Sequence, residues 1–237
     1  SVPAGTTGNI TIKLDGKKYS SAINATGNAT FTLLNVTYGN KTLIAEYAGD
    51  TIFTANYTTK DFTVIKRVSA VEISVDPINV GKVAVITVTV PTNATGYVVV
   101  TVNGTDYAVK INNGEGKLRI RGLGNGTFTV NATYLGDDQY LPSNNSAVLV
   151  VSKVDSTITI DVADINYTET ATITVTVPRD ATGNVTIKIA NTTYEAILPV
   201  IYGKVTWTVS GLAAGNYTVL VNYTGDDKYR ANNTNVN

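Results

Sequence analysis

Every second residue is apolar through most of this chain. Ile10, Ile12 and Leu14 alternate with Thr11 and Lys13. Ala84, Ile86, Val88 and Val90 alternate with Thr87 and Thr89, and Ala171, Ile173, Val175 and Val177 repeat that pattern. Val98, Val100 and Val102, then Val185, Ile187 and Ile189, do the same. A period of two puts one set of side chains on one face of a strand, so each segment predicts a β-strand with one buried face. Further strands are expected around Phe31 and Leu33, around Leu118 and Ile120, and through Phe62, Val64 and Ile65. Trp207 falls where Phe31 and Leu118 stand and is expected in the core. No stretch carries the three- and four-residue spacing of an amphipathic helix. Turn signals separate the strands: Asp15-Gly16, Gly39-Asn40, Gly124-Asn125-Gly126 and Asn103-Gly104, the last being the strongest short hairpin signal. The fold class predicted is all-β.

One stretch occurs three times. It reads Tyr47-Ala48-Gly49-Asp50-Thr51-Ile52-Phe53, Tyr134-Leu135-Gly136-Asp137-Asp138-Gln139-Tyr140 and Tyr223-Thr224-Gly225-Asp226-Asp227-Lys228-Tyr229. Each copy ends an alternating strand with a tyrosine and adds Gly-Asp, which is turn chemistry. The tyrosines lie about 87 and about 89 positions apart, and Val2-Pro3, Val90-Pro91 and Val177-Pro178 keep the same register. Two markers in one register predict a tandem repeat, and a unit of that length suits a seven-stranded immunoglobulin-like sandwich. The expected division is 1–66, lacking the first two strands; 67–153, complete; and 154–237, lacking the last strand. The first strand of the middle unit is expected to stop at Asp76-Pro77. The joints at Lys66-Arg67 and Lys153-Val154 carry no flexible or proline-rich linker, so the units are expected to stack end to end as a semi-rigid rod.

Composition narrows the function. The 237 residues contain no Cys, His or Met. Without Cys or His, the usual zinc, copper and haem sites and the Ser-His-Asp and Cys-His nucleophiles are excluded. No disulfide can staple the units, so their cores must stabilise them. Lys and Arg (18) balance Asp and Glu (18), which argues against a nucleic-acid surface. No apolar run is long enough for a transmembrane helix. The absence of Met suggests a fragment or a processed chain, from which a signal peptide would be missing.

The Tyr-x-Gly-Asp corner, with Val-Pro and Thr-Gly ahead of it, resembles the bacterial Ig-like repeats of the Big3 group. The density of Asn-x-Thr within such repeats resembles adhesin-like surface proteins of methanogenic archaea. The resemblance spans the chain and implies a β-sandwich, a cell-surface setting and no catalytic residues. It departs from antibody domains in having no Cys pair and no Trp on the third strand.

Candidate chemistry is sparse. Tyr47, Tyr134 and Tyr223 read as structural corners, with the ring in the core and the hydroxyl bonded to main chain near the preceding turn. Recurrence at one position favours this over ligand stacking. Asp137-Asp138 and Asp226-Asp227 offer few oxygens for calcium, which wants six to eight, and the first copy has Asp50-Thr51 instead. Glu46, Glu72, Glu115, Glu169 and Glu195 sit at unrelated positions in the repeat and make no glycosidase pair. Lys66 and Lys153 end equivalent strands. They read as solvated lysines, with a Lys–Asn isopeptide crosslink as the alternative. About 17 Asn-x-Ser/Thr sequons are present. The candidates for N-glycosylation are Asn9, Asn24, Asn35, Asn40, Asn125, Asn131, Asn184, Asn216 and Asn222.

The expectation is a non-enzymatic, extracellular stalk at the cell surface, needing no cofactor and spacing a distal binding region from the cell. Two alternatives stand beside it. One is a filament or envelope subunit assembled with other copies of itself by strand donation. The other is direct adhesion to a cell-surface protein or glycan of another cell, for which Tyr140-Leu141-Pro142 is the nearest candidate contact.

Overall fold

A computed structural model describes residues 1–237. The chain is all-β, as the alternation predicts, and its strands fall into three groups along the sequence.

The middle group has two sheets. Strands β5 (Glu72–Val75), β7 (Ala84–Thr89) and β10 (Glu115–Ile120) form one, in the order β10-β7-β5. Strands β6 (Ile78–Asn79), β8 (Tyr97–Val102), β9 (Thr105–Lys110), β11 (Gly126–Tyr134) and β12 (Ser143–Ser152) form the other, in the order β6-β12-β11-β8-β9. The inward faces interdigitate: Ala84, Ile86 and Val88 from one sheet and Val98, Val100, Val130, Ala132 and Leu149 from the other are each 0% exposed. The Asn103-Gly104 hairpin holds both residues at positive φ, 50° and 75°, as a tight two-residue turn requires. Strand β6 was not foreseen. After Pro77, which cannot donate to a ladder, the chain leaves β5 and crosses to the other sheet, where Ile78 and Asn79 pair in parallel with Val151 and Ser152.

The third group repeats the plan with β13 (Thr159–Val162), β14 (Ala171–Thr176) and β17 (Lys204–Val209) in one sheet. The other sheet holds β15 (Asn184–Ile189), β16 (Glu195–Pro199), β18 (Val219–Tyr223) and β19 (Asn232–Val236). Trp207 is half-buried against this core. The expectation that the last strand is missing is corrected here. Strand β19 pairs with β18 from Tyr223↔Asn232 to Val219↔Val236, the positions at which β11 meets the first half of β12.

The first group is a single sheet of β1 (Asn9–Leu14), β2 (Lys17–Ala22), β3 (Gly39–Tyr47) and β4 (Asn56–Val64), in the order β2-β1-β3-β4. Here a second expectation is corrected: Phe31 and Leu33 lie in no strand. Their counterpart β10 bonds only to β7. The first group has nothing at the place of β7, so a strand at 28–33 has no partner for its backbone groups. The alternation survives without the strand, since Phe31 and Leu33 are half-buried and Thr30 and Thr32 exposed. Leu43 and Ala45 are only half-buried where Val130 and Ala132 are fully covered, and Phe62 is 38% exposed where Leu149 is 0%.

Candidate functional site

The corner recurs in all three groups with the same bonds. Tyr134 ends β11 with its ring fully buried, and Gly136 turns the chain at φ +80°. A Cβ at Gly136 would lie 2.8 Å from the Tyr140 carbonyl oxygen, so both the dihedral and the space demand glycine. Asp137 then works as a double clamp. Its Oδ1 accepts from the amides of Gln139 and Tyr140, both at 2.8 Å. Its Oδ2 accepts from the Thr95 amide at 2.8 Å and the Thr95 hydroxyl at 3.0 Å. The first pair closes the turn; the second ties it to the Thr95-Gly96 turn that leads into β8. Asp50 does the same with Ile52, Phe53 and Thr7, and Asp226 with Lys228, Tyr229 and Thr182.

The electrostatics follow from this donor set. Burial alone would raise the Asp137 pKa, but the Thr95, Gln139 and Tyr140 amides outweigh it and hold the carboxyl at about 2. Asp226 is held at about 2 by the same balance, with Thr182, Tyr229 and Lys228 as donors. The Thr7, Phe53 and Ile52 amides hold Asp50 well below the usual carboxylate range. Both oxygens of each carboxylate thus face N–H and O–H donors. Asp138 and Asp227 are exposed and take no part in the clamp, which accounts for Thr51 at that place in the first copy.

The corner tyrosines need a correction. Tyr47, Tyr134 and Tyr223 are all buried, but only Tyr47 bonds its hydroxyl to main chain. It donates to the Thr7 carbonyl at 3.2 Å, on the turn before β1 and not on the turn before its own strand. The Tyr134 and Tyr223 hydroxyls are buried without a hydrogen bond. Burial, with the nearby Asp137 charge, pushes the Tyr134 hydroxyl up to about 12. Tyr223 is raised for the same reasons.

Two lysines complete the corners, and neither is simply solvated. Lys66 Nζ donates to the Asp137 carbonyl oxygen at 2.5 Å and lies 4.3 Å from the centre of the Tyr38 ring. Lys153 Nζ donates to the Asp226 carbonyl oxygen. Each reaches main chain and no asparagine side chain, so the crosslink geometry is not formed. The residue after each lysine joins the next group at once. The Arg67 amide donates to Gln139 and the Leu141 amide to Arg67; the Val154 amide donates to Lys228 and the Arg230 amide to Val154. Ser69 and Ser156 add hydroxyl bonds to the Leu141 and Arg230 carbonyls, at 2.6 and 2.9 Å. Between the end of β4 and the Arg67 bridge stand only Ile65 and Lys66; between β12 and the Val154 bridge stands only Lys153.

The remaining candidates are scattered. Asn9, Asn24, Asn35, Asn40, Asn125, Asn131, Asn184, Asn216 and Asn222 are all exposed, on several strands and turns, and the fold gathers them into no one site. Tyr140, expected as the nearest contact for a partner, is 7% exposed and bridges to Arg67. Sequence reasoning missed the threonines of the clamp as partners of the aspartates, and the reach of Lys66 and Lys153. The signal was present in the register, because Thr7, Thr95 and Thr182 recur with the corners.

A search of curated proteins finds no match to the chain. Among solved structures, the chain is similar to a structure described under host cell surface retention of a 1.5-MDa bacterial ice-binding adhesin. That match has 16% identity and a TM-score of 0.33, covering 99% of this chain and 85% of the other. It is similar to fibronectin(III)-like modules of Clostridium thermocellum CbhA, at 17% identity and a TM-score of 0.30, covering 70% of this chain and 92% of the other. It is also similar to a chimeric titin Z1Z2 tandem, at 14% identity and a TM-score of 0.28, covering 69% and 93%. Within the chain, residues 158–237 match the family model described as bacterial Ig-like domain, group 3, and that stretch holds β13 to β19 with the third corner.

Proposed function

We propose that the chain is a non-enzymatic, extracellular spacer, the stalk of an adhesin-like cell-surface protein, built of Ig-like units at 1–66, 67–153 and 154–237. The observation that carries this reading is the pair of joints. Each has only one or two residues between strand and bridge, the last of them a lysine locked onto the next corner, with a main-chain bridge directly after it. A joint so short and so bonded resists bending, which is what a spacer requires and what a catalytic or grasping module does not. The neutral surface, with exposed Asn and Thr, suits a hydrated stalk, and the exposed sequons can carry glycans in a secreting host. The stalk reading is tested by assaying the isolated chain against glycan arrays and host-cell surfaces. No saturable binding is expected; saturable binding would favour direct adhesion.

A second reading has its own support. The first group presents one sheet with no second sheet over it, leaving Phe62 38% exposed. An apolar sheet face seeks a second layer. Flanking residues of the same protein, or assembly of copies into a filament or envelope layer, would supply one. Concentration-dependent growth in light scattering supports assembly, and a constant mass across concentrations overturns it.

A further inference from the structure

The middle group presents an outer face that its neighbours do not. Its larger sheet, β6-β12-β11-β8-β9, turns Tyr97 and Val99 outward on β8, and Val148 and Val150 outward on β12. Tyr97 is 51% exposed, Val148 60% and Val150 38%. Leu135, one residue past the Tyr134↔Val98 pair, comes level with Tyr97 and is 61% exposed. At these five positions the first group carries Asn9, Thr11, Asp61, Thr63 and Ala48. The third group carries Asn184, Thr186 and Thr224 at the places of Tyr97, Val99 and Leu135. Single apolar residues on a surface are ordinary, but a set gathered on one face marks a contact surface.

Charge separates the faces in the same way. The outer faces of the first and third groups carry the ion pairs Lys13–Glu46 and Lys188–Glu195. Each turns one apolar residue outward on its central strand, Ile44 or Leu220, and each of these stands opposite a lysine of those pairs. The middle group has Asn131 at that place, and the outward positions of β8, β11 and β12 hold no charged residue.

The pattern on this face is self-complementary. Tyr97, Val99 and Leu135 gather at one corner, where β8 begins and β11 ends. Val148 pairs with Thr129 and Val150 with Thr127, so the second apolar cluster lies at the opposite corner, on β12 beside the start of β11. Asn131 stands midway along β11 between the two, in a polar depression of about 430 Å³ that also includes Thr133, Asn144 and Ser146. A two-fold axis through Asn131 that lays two such faces together exchanges the corners, so each apolar cluster meets the opposite cluster of the other copy. The polar centre then meets itself, and an Asn amide, which both donates and accepts, can bond its own copy. Four strands span about 19 Å and eight residues about 27 Å, so the pair would bury about 1,000 Å² in all, enough for a specific but weak interface.

We infer that this face is a self-association surface: two copies of the chain pair through the outer faces of their middle units, on a two-fold axis near Asn131. The inference goes beyond the assembly reading above, which concerns the first group's sheet and open growth; this is a closed pair through another face. Asn131 heads a sequon, and a glycan there would stand on the axis and hold the copies apart, so the unglycosylated chain is the one that pairs.

The test uses the full 237-residue chain made in a host without N-glycosylation. Sedimentation equilibrium from micromolar to near-millimolar concentration should show the mass rising from 25.0 kDa to a plateau at twice that value. The discriminating variant is Tyr97→Asn/Leu135→Thr/Val148→Asp. It installs residues that the other groups already carry at these places, so the unit should still unfold cooperatively, while pairing weakens by about tenfold or more. The chain has no cysteine. In an oxidised glutathione buffer Asn131→Cys should therefore give a disulfide-linked pair, and Ser74→Cys, exposed on the opposite sheet, should not. A mass constant at 25.0 kDa over the whole range, or association as strong in the triple variant, overturns the inference. Growth past two copies that survives in the triple variant overturns it as well and supports the assembly reading. A closed pair that is lost in the triple variant supports the inference and overturns that reading.

Discussion

Tyr134 and Tyr47 occupy one position in two copies of the repeat and should respond oppositely to the same change. The Tyr134 hydroxyl is buried without a partner, a situation that costs about 1–3 kcal/mol. Tyr134→Phe removes the cost and should leave stability unchanged or raise it. Tyr47→Phe removes a bond to Thr7 and should cost about 0.5–1.5 kcal/mol. Urea titration of both variants checks the pair. The clamp aspartates set an acid limit. Their folded pKa of about 2 lies below the ordinary Asp value of about 3.9, so the ionised form is favoured by folding. That stabilisation is complete above pH about 4 and is lost as pH falls through about 2. The unfolding midpoint should drop across this window in the native chain. In Asp137→Asn it should start lower and fall less steeply, because one of the titrating carboxylates is gone.

At the scale of the element, burial follows the partner sheet more than the sequence of the strand. Phe62 and Leu149 are counterparts on β4 and β12, but only Leu149 has a second sheet over it. Leu149→Ala should cost about 2–5 kcal/mol, the usual range for a filled core position. Phe62→Ala should cost much less, since the ring already meets solvent. Equal losses in thermal unfolding would mean that the first sheet is covered after all. The same dependence explains what the sequence could and could not disclose. The alternation located β1, β7, β8, β14 and β15, because each has a buried face and a local pattern. The corner was legible as a strand, a tyrosine and a turn. The missing strand at Phe31 and Leu33 was not legible, because the pattern there is intact and only the absent neighbour prevents the ladder. Strand β6 is two residues long and has no period to read. The Asp137–Thr95 clamp joins residues 42 positions apart, and the Lys66 lock spans 71, so local spacing does not reveal them.

For the whole molecule, the central claim is that short, locked joints hold the units in line. Small-angle X-ray scattering on the full chain in dilute solution tests it most directly. A compact protein of this length would have a radius of gyration of about 18 Å. Three units placed end to end, each as long as a nine- to ten-residue strand of about 30 Å, would reach a maximum dimension of about 90 Å or more. The stalk account predicts that longer dimension, a radius of gyration well above 18 Å and a rod-like decay of scattering. It also predicts that replacing Lys153 with a flexible Gly-Ser segment shortens the mean dimension. A compact particle near 18 Å, or a native chain as flexible as the Gly-Ser variant, would contradict it.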